Sequence, residues 1–95
     1  MKNRKDVDDM TPNQLVSWFM IAGYAYYEAG LRVMEDEDFD WLVERLKIHW
    51  EEIEHPHRTL ITAGHLEAAT AYDINFPTIA KYAAHNYLKE TNASR

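Results

Sequence analysis

Six apolar residues, Phe39, Leu42, Val43, Leu46, Trp50 and Ile53, fall at i, i+3, i+4, i+7, i+11 and i+14. That is the spacing of one face of an α-helix. A strand, with its period of two, would send Leu42 and Val43 to opposite faces and break the stripe. Five of the six residues from Glu35 to Asp40 are acidic. Acids gathered at a helix N-terminus are favoured by the macrodipole, and Asp36 is the candidate cap. His55-Pro56 stops the pattern, so a helix is predicted over about 36–54.

The remaining chain reads the same way. Thr11-Pro12 is a hydroxyl cap followed by proline at the first helical position, and Gly30 supplies a left-handed stop, predicting a helix over about 12–29. Its stripe of Leu15, Trp18, Phe19, Ala22 and Tyr26 is supplemented by Val16, Met20, Tyr24 and Tyr27, so it should be buried on several sides. Arg58 to Tyr72 predicts a short helix from about Thr62, and Asp73 to Pro77 a turn. Pro77 opens a last helix through Glu90 with Ile79, Tyr82, Ala83 and Tyr87 as its buried edge. No segment alternates apolar and polar residues as a half-buried strand does. The expected fold is all-α: an antiparallel hairpin with one or two C-terminal helices packed across it. Residues 1–10 are expected as a flexible polar leader, 11–90 as one helical domain and 91–95 as a loose tail.

Composition narrows the function. A chain of 95 residues allows one small domain. Sixteen acids against ten bases give a net charge of −6, which opposes direct nucleic-acid binding and adsorption to an anionic membrane. Without cysteine there is no disulfide framework, thiolate zinc site or cysteine nucleophile. No secretory leader or membrane span is visible, and a cytoplasmic location is expected.

The segment from Tyr26 to Leu42 resembles the N-terminal helical subdomain, called Ia, of NAD-dependent bacterial DNA ligases. Those enzymes carry a Tyr-Tyr or Tyr-His pair, a gap of eight residues, then Asp-x-x-Tyr-Asp-x-Leu; here the matching residues are Tyr26, Tyr27, Asp36, Phe39, Asp40 and Leu42. Downstream, Glu52-Ile53-Glu54-His55-Pro56 is similar to the Glu-x-x-His-Pro that closes the second helix in such ligases. The likeness covers roughly residues 12–57. It implies contacts from Tyr26, Tyr27, Asp36, Phe39 and Asp40 to the nicotinamide mononucleotide half of NAD, with Phe39 lacking the hydroxyl of the family's tyrosine. Aromatic faces suit a cationic pyridinium, and carboxylates can bond ribose or offset the ring's charge. No lysine here stands in the Lys-x-Asp-Gly setting that ligase chemistry needs, so no enzymatic activity is expected. Small free-standing chains of this kind look like accessory proteins of tailed phages, which would act in the host cytoplasm.

Other readings stand beside that one. The acids at 35–40 are all explained, without any ligand, as the cap and first-turn decoration of a helix N-terminus. Trp41 and Ile48, seven residues apart and off the main stripe, are expected to be covered by the C-terminal helices; left uncovered, they would form, with Glu37 and Glu44, a surface for a protein partner or a second copy. Nine acids and two bases between Glu35 and Glu54 raise the idea of a DNA mimic. Glu52 and His55 have the i,i+3 spacing of di-iron bundles but no second such step, so no metal is expected. His55-Pro56-His57 is expected as a turn with solvent-facing side chains. The leading expectation is a non-catalytic helical protein acting through a protein partner, with a nicotinamide mononucleotide or NAD binder as the alternative.

Overall fold

The computed structural model describes residues 2–71 and 74–93, the last four as backbone only. The described residues form an all-α fold of five helices: α1 (Arg4–Asp8), α2 (Pro12–Tyr27), α3 (Asp36–Ile48), α4 (Ala63–Ala68) and α5 (Thr78–Ala93). Two 3-10 turns, Trp50–Glu52 and Pro56–Leu60, lie between α3 and α4. The expectations for Tyr72 and Asp73, and for the end of the tail at 94–95, fall outside the described residues.

The α2 helix forms the centre. Thr11 accepts from the Gln14 backbone at 3.2 Å while the Gln14 side chain accepts from the Thr11 N–H at 2.8 Å, a reciprocal cap. Leu15, Val16, Phe19, Met20, Ile21, Ala22 and Ala25 are all buried. This near-complete burial follows from α2 packing on both α3 and α5. The helix ends at Tyr27, with Gly30 in the left-handed region at φ +66° and Leu31 N–H donating back to Ala25 C=O at 2.7 Å.

Residues 2–10 are not the loose leader expected from their charge. Asn3 and Asp6 form a reciprocal cap, Val7 is fully buried, and Lys2 N–H donates to Val33 C=O at 2.9 Å. Val7 and Met10, three residues apart, present one apolar face, and α1 lays it against α3. The α1 helix, not a C-terminal one, covers Trp41: the indole N–H donates to Asp8 Oδ1 at 2.7 Å, and the Arg4 guanidinium lies 4.1 Å from its ring centroid.

The α3 helix starts one residue off the expected cap and stops six residues early. Glu35 occupies the cap position without a side-chain bond, and Asp36 is the first helical residue. Beyond Ile48 the chain tightens into a 3-10 turn and then extends at Ile53, which is still 97 % buried. Contacts from other segments hold this departure: Asn13 Oδ1 accepts from Glu54 N–H at 2.9 Å, and Arg58 donates to Ile53 C=O at 3.0 Å. Ile53 therefore keeps its core place by a different backbone path.

The short α4 packs on α3 and opens on a Thr62–His65 reciprocal cap. It ends at Ala68, and the capping Ala69 has a left-handed φ of 51°. The α5 helix lies along α2 and runs to Ala93, past the expected end at Glu90. Its buried side is Ala80 and Ala84, while Ile79 and Tyr82 are 70 % and 68 % exposed, so the expected edge is rotated. The segment ahead of α5 comes close to α2 at Gly23. A Cβ on Gly23 would lie 2.5 Å from Ala71 Cβ and 3.0 Å from the Phe76 ring. Tyr87 keeps part of its expected role, meeting Trp18 edge-on at 5.3 Å.

Candidate functional site

The C-terminal turn of α2 and the first turn of α3 meet around a concavity of about 170 Å³. It is lined by Tyr26 and Tyr27 from α2, by Asp36, Phe39 and Asp40 from α3, and by Ala69 after α4. Ala22 and Gly23 complete the floor. The five residues singled out by the Tyr-Tyr…Asp-x-x-Phe-Asp pattern thus share one surface.

Each ring is held differently. Phe39 stacks on the buried Phe19 with centroids 5.5 Å apart. Tyr26 and Tyr27 meet edge to face at 4.9 Å. The Tyr27 hydroxyl is 2.6 Å from Thr70 Oγ1, which ties the ring to the chain just after α4. Tyr26 and Tyr27 nonetheless remain 51 % and 42 % exposed, so neither joins the buried face expected of α2. Phe19 is core, and Trp18 and Tyr24 are half-buried.

The two carboxylates also differ. Asp36 lies 3.8 Å from Arg32, which reaches Glu35 at 3.5 Å and stands 5.9 Å from the Tyr26 centroid. Asp40 has no ion-pair partner among the described residues. Chemically the pocket offers aromatic faces and net negative charge, a combination that suits a flat cation. Its volume is below the roughly 300–1,000 Å³ of pockets that engulf drug-sized ligands. One ring fits, and the rest of a nucleotide would lie outside.

A shallower groove of about 500 Å³ adjoins it, sharing Asp40 and Ala69. Glu37, Trp41 and Glu44, expected as an interaction surface, line this groove together. Ile48 is not among them and stands 65 % exposed.

Ala69 and Thr70 were not legible as site residues. Thr70 is 43 positions from Tyr27, and no local pattern signals that pairing. The histidine segment is also more engaged than expected. His55 Nδ1 accepts from the His57 backbone at 3.1 Å, so the neutral ring carries its proton on Nε2 and donates to Ser17 Oγ at 3.1 Å. Burial, and then the neighbouring His57, hold the His55 pKa below the ordinary 6.5. Glu52 bonds His49 rather than His55. Among the described residues no three His, Cys, Asp or Glu side chains gather as a metal site. None of the described helices is long and apolar enough to cross a membrane.

Compared with known proteins, the chain matches no family profile, no curated protein and no solved structure.

Proposed function

We propose that this chain is a non-catalytic binding protein that seats the pyridinium ring of a nicotinamide nucleotide against Tyr26, Tyr27 and Phe39. Asp36 and Asp40 would offset the ring's charge or accept from ribose hydroxyls. One observation carries the reading: the five residues matching the ligase Ia pattern, drawn from two helices, converge on a single concavity. The pocket covers the ring alone, so affinity should be weak, with a Kd on the order of millimolar. Titrating nicotinamide mononucleotide and NAD while following backbone amide shifts tests this. Shifts confined to Tyr26, Tyr27, 36–40 and 69–70 are expected; none at several times millimolar ligand would reject it.

A second reading has its own support in the groove lined by Glu37, Trp41 and Glu44. There the chain would engage a protein partner, as an accessory protein of a phage acting on an enzyme in the host cytoplasm. Glu37→Lys with Glu44→Lys should abolish capture of such a partner without changing the melting temperature. Capture that survives the double charge reversal rejects this reading. Ile48, at 65 % exposure, leaves room for a homodimer, which sedimentation of Ile48→Glu beside the parent chain would test.

A further inference from the structure

Among the described residues, Ala69 is the one non-glycine residue with a left-handed backbone, and it lines the ring pocket. That conformation disfavours an L-alanine, so contacts on either side must hold it. They run along the chain leaving α4. Thr70 N–H donates to His65 C=O at 3.0 Å, closing the helix. The Thr70 and Tyr27 hydroxyls share a hydrogen bond of 2.6 Å. Ala71 is fully buried beside Gly23, where a Cβ would lie 2.5 Å from its own. Gly23 and Tyr27 stand four residues apart on α2 and so share a face. The chain after α4 is laid along that face and grips Tyr27 through Thr70.

Tyr27 is 42 % exposed, so packing alone holds its ring loosely, and a bond at the hydroxyl removes rotamers it would otherwise visit. Thr70 is not part of the pocket lining. We propose, resting on the nicotinamide reading above, that Thr70 is a positioning residue for the ring site: it fixes the Tyr27 ring as a wall of the pocket and acts on the ligand only through that ring. A wall fixed before the ligand arrives loses less rotamer freedom on binding, which raises affinity.

Titrating nicotinamide mononucleotide into the intact parent chain, Thr70→Val, Thr70→Ser, Tyr27→Phe and the double variant Thr70→Val with Tyr27→Phe tests this. Thr70→Val and Tyr27→Phe remove the same bond from its two ends and keep the ring. Each should weaken binding by about threefold, the double variant no further, and Thr70→Ser should bind as the parent does. In the ligand-free chain the Tyr27 ring-proton resonances should move in Thr70→Val and return in Thr70→Ser. Parent-like binding by Thr70→Val, losses that multiply in the double variant, or an equal loss in Thr70→Ser overturns the inference and leaves the nicotinamide reading standing. No binding by the parent chain overturns both. If Thr70→Val does not fold, Thr70→Ala takes its place in the same comparison.

Discussion

Asp36 and Asp40 occupy the same wall of the same pocket, yet only Asp36 has an arginine beside it. The unpaired carboxylate has more to gain from a cationic ligand. Asp40→Asn should therefore weaken pyridinium binding by about three- to tenfold and leave the melting temperature within about a degree, since exposed substitutions cost little stability. Titration calorimetry alongside thermal melting checks both. Gly23 presents the opposite case, a residue with no chemistry and a strict size limit. Gly23→Ala gains about 1 kcal/mol of helix propensity but drives a methyl into Ala71 and Phe76. Overpacking of that kind costs about 1–3 kcal/mol, so the variant should be less stable on denaturant unfolding. The five residues of the aromatic–acid pattern were legible because two short motifs carry them. Tyr26 and Tyr27 were harder to place, because an aromatic at helical spacing reads the same whether it faces core or solvent. Thr70 left no trace, since its link to Tyr27 exists only once α4 has turned the chain back.

At the scale of elements, periodicity located the helices and failed where a tertiary contact overrode it. The stripe on α3 has the right period through Ile53, but side-chain bonds from Asn13 and Arg58 take over the backbone beyond Ile48. In α5 the period was right and the phase wrong: Ala80 and Ala84 are buried, whereas Ile79 and Tyr82 stand exposed. The largest surprise is α1. High charge density over residues 2–10 reads as a frayed end, whereas the only apolar residues there, Val7 and Met10, are both buried. Val7→Ala should cost about 1–3 kcal/mol on chemical unfolding, in line with other buried truncations. A loose leader would show no change. Loss of α1 docking should also uncover Trp41 and shift indole emission to the red.

Across the whole molecule, acidity and pH connect the fold to its surface. His55 ties α2 to the Pro56–Leu60 turn as a neutral ring. Its pKa is lower folded than unfolded, so the unfolded chain binds the proton more readily. Stability from this contact is complete above pH 6.5, falls as the pH drops below that value, and levels off beneath the folded pKa. Melting between pH 8 and 5 should follow that course, and His55→Gln should flatten it. The all-α class was readable from composition and period alone. The placement of α1, α4 and α5 around α2 and α3 was not, because small contact residues and paired caps set it. Binding as proposed puts the pyridinium ring among Tyr26, Tyr27 and Phe39. Intermolecular nuclear Overhauser effects with nicotinamide mononucleotide at high occupancy test it most directly. Contacts from the pyridinium protons to the rings of Tyr26, Tyr27 and Phe39 are predicted; contacts only elsewhere, for instance to Tyr82 on α5, would contradict it.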